Sequence, residues 1–277
     1  MHFKVSLTII ISKSNKELYN TLKAFWSIVL LNTIGKLFEK VIRERLQFQA
    51  ISNEFIHQCQ LDGLKQRFTI NTDITLTYFV CSGWVRNQIT SILAFNIMQF
   101  FSLLNHRLLP LILLKAGFNS KISFFFQDYL VGKKTSYYWN NFFSSSFHID
   151  IGVGQELALS ALSPVLSTLY LSLLFHIFEK WLKNLNIPVS ILSFIDNGLF
   201  IAQNKSIVYS NSNLFYSYKI MTFILKKFGL VIEYEKTEVF HFSRSYSILN
   251  LQPLNLSTLG GLHPSIQEFL EISRLLF

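Results

Sequence analysis

The segment Ile191 to Ile201, ILSFIDNGLFI, constrains the fold more than any other stretch of the chain. Two runs rich in Ile, Leu and Phe meet at a short Asp-Asn-Gly turn. That pattern predicts a β-hairpin, because Asn and Gly tolerate the positive φ that a two-residue turn demands. Asp196 then sits at the hairpin tip. A carboxylate there can reach a hard cation such as Mg²⁺, which takes few carboxylates, some waters and the phosphates of a substrate. Asp, Asn and Gly are also simply good turn formers, so the segment alone leaves both readings open.

At 277 residues the chain can bury a sizeable core, as one domain with sub-lobes or as two domains. Half of it is apolar and only 15% is charged, against roughly 25% in ordinary soluble domains. The 25 Lys and Arg against 16 Asp and Glu, with a pI near 9.5, favour a polyanionic partner such as nucleic acid, or an anionic membrane surface. Fold does not follow from that charge. Cys59 and Cys81 make neither a disulfide framework nor a zinc site, and read as buried free thiols in a reducing, intracellular compartment. Val5 to Ile11 follows a basic residue, but it lacks a longer apolar region and a small-residue cleavage site, so it reads as a strand.

The run Leu157 to Phe178 carries no formal charge and, at about 22 residues, is long enough to span a bilayer. Pro164, His176 and several Ser and Thr residues lie inside it. A Ser-Pro helix start followed by a buried core helix therefore competes with membrane insertion, and is favoured. Asn87 to His106 is also uncharged, but Asn96 and Gln99 interrupt it.

No internal repeat or low-complexity linker divides the chain. Leu30 to Gln49 puts Ile34, Leu37, Phe38, Val41 and Leu46 at helical spacing, with Thr33 as N-cap and Lys36, Lys40, Arg43 and Arg45 on the polar side. Strands are expected over Ser91 to Ile97, in the hairpin, and as a pair over Val231 to Phe242. Helices are expected over His106 to Ala116, Pro164 to Lys183 and Tyr218 to Phe228. This order lacks the rhythm of a doubly wound sheet. It predicts an α+β fold, an antiparallel sheet with helices on one face.

Four segments in this order, SILAFNIMQFFSLLNHRLL (Ser91 to Leu109), GVGQELALSALSPVLS (Gly152 to Ser167), the hairpin, and FGLVIEYEKTEVFHF (Phe228 to Phe242), resemble palm motifs A to D of reverse transcriptases. The likeness is greatest to those of non-LTR, LINE-type retrotransposons. SIVLLNTIGKLFEKVIRERL (Ser27 to Leu46) and QLDGLKQRFT (Gln60 to Thr69) resemble the finger motifs of that family. The resemblance implies fingers over residues 25–90 and a palm over 91–245, between an N-terminal segment, 1–24, and a short C-terminal segment, 246–277, with the thumb missing. In the C-terminal segment, Phe269-Leu270-Glu271 stands where the family has an aromatic-Leu-Gly primer grip.

The family joins deoxynucleotides (dNTPs) to a DNA primer on an RNA template, with two Mg²⁺ or Mn²⁺ ions about 3.5–4 Å apart stabilising the attacking and leaving oxygens. Motif A supplies one aspartate to those metals and motif C an adjacent pair. By resemblance those positions here are Asn96, Asp196 and Asn197, so Asp196 is the one metal-binding carboxylate left. An Asn oxygen can ligate a hard cation but brings no charge.

Motif B keeps Gln155 but follows it with Glu156 where the family has Gly, and carries an insertion of about three residues, Leu159-Ser160-Ala161. A carboxylate beside a triphosphate is repulsive. Trp26-Ser27 replaces the Arg-Pro of the first finger motif. Other positions fit. Phe101, five residues after Asn96, matches the aromatic that screens the sugar 2′ position. Lys236 matches the motif D lysine beside the leaving pyrophosphate. Lys65 and Arg67 match basic finger residues that meet phosphates.

The resemblance thus implies a reverse transcriptase domain, catalytically impaired or inactive as a polymerase. Two other classes stay open: a non-catalytic basic nucleic-acid-binding remnant, and a membrane-associated or structural protein built on residues 157–178.

Overall fold

The computed structural model describes residues 4–14, 18–21, 24–61, 69–152 and 163–244. In chain order the strands are β1 (Val5–Ser12), β2 (Phe25–Leu30), β3 (Ile89–Asn96), β4 (Lys133–Trp139), β5 (Phe142–Phe143), β6 (Phe147–Ile149), β7 (Val189–Phe194), β8 (Asn197–Asn204) and β9 (Glu238–Phe242). The helices are α1 (Thr33–Ser52), α2 (Thr69–Val85), α3 (Phe100–Leu103), α4 (Leu108–Lys115), α5 (Ser120–Leu130), α6 (Ser163–Asn184) and α7 (Ile207–Lys227).

The strands form two sheets. In the first the order is β2-β1-β4-β5, with β6 also on β4; β1 runs antiparallel to β2 and parallel to β4. In the second the order is β7-β8-β3-β9, antiparallel throughout. This second sheet carries the predicted hairpin, β7 to β8, at its edge.

Alternation along β3 and β8 sends Leu93, Phe95, Phe200 and Ala202 into the main core, where Leu169, Phe178 and Leu214 of α6 and α7 meet them. Ile92, Leu192 and Ile201 point the other way and pack against Leu76 and Phe79 of α2. Helices therefore cover both faces of this sheet, not one as expected. The sequence of β3 agrees, because its first five residues are all buried, the run-on pattern of a strand covered on both sides.

Helix α6 is long and apolar enough to cross a membrane by length and composition, but 72% of its most apolar window is buried inside the molecule. Val165, Leu169, Leu174 and Phe178 point into the core. That is the core-helix arrangement expected from its Ser-Pro start.

Several elements differ from expectation for local reasons. The N-cap of α1 is Asn32 rather than Thr33: its side-chain oxygen accepts the Gly35 N–H at 2.6 Å. Ile34, Leu37 and Val41, expected on the buried stripe, are exposed, and α1 instead buries Glu39, whose Oε1 accepts the Tyr129 hydroxyl at 2.6 Å. Helix α7 begins eleven residues before the expected Tyr218, because Ser210 and Ser217 are small enough to lie fully buried on its inner face beside Leu214. The expected strand pair over Val231 to Phe242 is a single strand, β9, preceded by a bridge from Ile232 to Ile97 and a 3₁₀ turn at Tyr234–Lys236. Cys59 is buried as expected, whereas Cys81 lies exposed on α2.

Candidate functional site

The end of β3 and the β7–β8 tip meet in register. Asn96 lies directly opposite Asn197, and Phe95 opposite Gly198. The pair Phe194 and Asn197 closes the hairpin, so the two turn residues are Ile195 and Asp196. The positive φ falls on Ile195, at 52°, not on the Asn-Gly dipeptide. For a β-branched residue that backbone is strained by about 1–3 kcal/mol. The tip is pinned by the Ile97 N–H, which donates to the Asp196 carbonyl at 2.8 Å.

Gly198 is required for space. A Cβ there would lie 2.2 Å from Cζ of Phe95. Phe95 is itself wedged against Phe200, ring centroids 4.6 Å apart. This close approach of β3 and β8 brings the polar side chains together.

Asn96 Nδ2 lies 3.0 Å from Asn197 Oδ1 and 3.5 Å from Asp196 Oδ2. The other end of the same amide faces Glu233 Oε2. With the amide turned over, its nitrogen donates to Glu233 Oε2 at 3.1 Å and to the Ile97 carbonyl at 3.3 Å, while its oxygen faces Asn197 at 3.0 Å. Glu233 is fixed by its own N–H, which donates to the Asn96 carbonyl at 2.8 Å. The Glu233 carboxylate also pairs with the Lys236 ammonium at 2.8 Å.

Burial pushes the Asp196 carboxyl above the usual carboxylate range, and the nearby Glu233 charge adds to that. Hydrogen bonds, including the one from Asn96, and the Lys236 charge pull the other way.

The structure thus brings together Asn96, Asp196, Asn197 and Lys236. Phe101 lies on α3, one turn beyond β3, half-buried against the core beside the fully buried Phe100. Gln155, Lys65 and Arg67 lie outside the described residues, as do Glu156, the Leu159-Ser160-Ala161 insertion and Phe269-Leu270-Glu271. The segments leading to two of them are placed. Cys59 to Leu61 runs beside β7, with Ser193 N–H donating to the Cys59 carbonyl at 2.8 Å and Leu61 N–H to the Ser193 carbonyl at 3.0 Å. Gly152 is pressed against the chain after β3: its N–H donates to the Leu104 carbonyl at 2.7 Å, and its φ of 84° lies in the left-handed region.

Glu233 was not singled out from the sequence. Its spacing of three from Lys236 was visible, but its approach to Asn96 depends on the irregular bridge between Ile97 and Ile232.

Two divalent ions of a polymerase site need a convergent set of carboxylates. Here the three strand-end positions hold one carboxylate and two neutral amides, and the additional carboxylate, Glu233, already carries an ammonium. Among the described residues no group of three or more His, Cys, Asp or Glu side chains is placed to hold a metal ion. The donor set does not fit a two-metal centre.

No protein-family model matches the sequence, and no curated protein matches it. Solved structures do match. Telomerase from Candida tropicalis, truncated from the C-terminal domain, superposes with a TM-score of 0.62 at 13% identity, over 86% of this chain and 50% of that one. The same organism's telomerase in complex with the TWJ fragment of telomeric RNA gives 0.64 at 13% identity, over 87% and 41%. The Candida albicans telomerase complex with that RNA fragment gives 0.60 at 12%, over 85% and 42%. The chain spans half or less of the length of these structures. Telomerase is a reverse-transcriptase-related enzyme. At such identity the likeness bears on the fold alone: the chain adopts a mixed α/β, reverse-transcriptase-like fold.

Proposed function

We propose that this chain is the fingers and palm of a reverse transcriptase of the non-LTR retrotransposon type, with its polymerase chemistry lost and nucleic-acid binding retained. The observation that carries this reading is the amide pair Asn96 and Asn197, directly opposed at the end of β3 with their side-chain amides 3.0 Å apart. By their resemblance to motifs A and C, both positions are those of metal-binding aspartates. Each exchange removes a full negative charge where two dications must be held, and metal stabilisation supplies several kcal/mol to the transition state.

Binding of an RNA template and DNA primer is supported by the net charge of +9 and by the telomerase structures solved with an RNA fragment. Lys65 and Arg67 on the finger segment are proposed phosphate contacts. Phe101, Gln155 and Lys236 are the proposed remains of the dNTP site.

Filter binding of a template–primer duplex across salt tests the reading. A mode using about four phosphate contacts weakens roughly a hundredfold between about 50 and 200 mM salt. Binding without that loss, or no binding at low salt, would remove the nucleic-acid role.

A further inference from the structure

We propose that Lys236 is the resident cation of this site, and that the site is thereby closed to a divalent ion; the proposal rests on the assignment of Asn96, Asp196 and Asn197 to the former metal-binding positions. Two negative charges flank the Asn96 amide, on Asp196 and Glu233. One Glu233 oxygen, Oε2, receives both the Lys236 ammonium at 2.8 Å and, in the turned orientation, the Asn96 amide at 3.1 Å.

A cation bound between Asp196 and Glu233 would have to displace both donors from that oxygen. It would gain only neutral amide oxygens in exchange. The donors are also locally fixed. Lys236 lies on the 3₁₀ turn whose first link is its own N–H to the Glu233 carbonyl, at 3.1 Å, so the ammonium and the carboxylate belong to one short backbone unit. That unit is anchored to β3 by the Glu233 N–H bond to the Asn96 carbonyl. The positive charge of Lys236 is felt at Asp196 as well. Divalent ions that bind through one or two carboxylates rely on substrate phosphates to complete the site. A site whose second carboxylate already carries an internal ammonium offers less than that.

The test is a titration of the full chain with Mn²⁺, followed by the electron paramagnetic resonance signal of the free ion, without nucleic acid. The wild type is expected to leave the signal unchanged at submillimolar Mn²⁺. Lys236→Met, at a side chain 61% exposed and so tolerant of change, removes a unit charge next to Glu233 and raises Mn²⁺ affinity about tenfold. Lys236→Arg keeps the charge and behaves as the wild type. Lys236→Met combined with Glu233→Gln loses the gain, which assigns the bound ion to Glu233.

Submillimolar Mn²⁺ binding by the wild type would overturn the proposal, as would a Lys236→Met chain that binds no better. Either result without primer extension leaves the proposed function standing. Primer extension by the wild type would instead overturn the proposed function.

Discussion

Replacing Gly198 by Ala tests how the hairpin is held against β3. The added Cβ would lie 2.2, 2.6 and 2.8 Å from three ring carbons of Phe95, where ordinary contact begins at 3.4 Å. The ring must therefore retreat by more than an ångström. It has nowhere to go: Phe95 is 3% exposed, it packs on Phe200, and Phe200 stacks on Phe178 at 5.1 Å between centroids. Overpacking of this kind costs about 1–3 kcal/mol, and with three aromatic rings in series the upper half of that range is expected. For a chain of this size that lowers Tm by about 5–10 °C. Gly229→Ala is the control. Its φ is 75° but nothing lies within 4 Å of the added Cβ, so only backbone strain of about 1 kcal/mol is incurred. Urea unfolding of both variants, and of Gly198→Ala with Phe95→Leu, gives the comparison. The double variant should recover part of the loss, a non-additivity expected of touching residues. If Gly198→Ala costs no more than Gly229→Ala, the close approach of β3 and β8 is not as described.

Asp196 binds a proton more readily folded than unfolded, because burial raises its pKa. Stability therefore falls as pH rises from the unfolded carboxylate range, near 4, through the higher folded value. Asp196→Asn should raise Tm at pH 7 and leave it unchanged near pH 3; an equal effect at both would contradict the assignment. His57 behaves in the opposite sense. Burial lowers its pKa, so the unfolded chain takes up the proton first and stability declines as pH falls below about 6.5. Urea midpoints that stay flat from pH 7.5 to 5.5 would refute this. Tyr129→Phe removes the hydroxyl donated to the buried Glu39 and should cost about 1–3 kcal/mol in the same assay, while a loss below 0.5 kcal/mol would mean that the contact is energetically idle.

How much of this was legible in the sequence varied with the range of the interactions involved. The hairpin was readable because its two apolar runs alternate and its turn is short. The turn lies two residues before the Asn197-Gly198 dipeptide, at Ile195 and Asp196; Gly198 suggested a need for positive φ when the need was room for Phe95. Helices α4 and α6 followed from apolar runs bounded by clear starts. The first half of α7 did not, since buried serines read as loop in a single sequence. The stripe on α1 was wrong for a related reason: periodicity identifies an apolar face but not which face the rest of the fold covers, and here the covered face includes Glu39. Motif order singled out Asn96, Asp196, Asn197 and Lys236, which lie near one another in the fold. Glu233 required the three-dimensional path, because a 3₁₀ turn and a single bridge, neither with a sequence period, carry it to Asn96.

We propose that the strand-end site lacks the charge needed for polymerisation. Primer extension with Mg²⁺ or Mn²⁺ tests it most directly, comparing the wild-type chain with the double variant Asn96→Asp, Asn197→Asp. The wild type is expected to give no extension at any concentration of either ion. Extension by the wild type to the same length and rate as the double variant would contradict it.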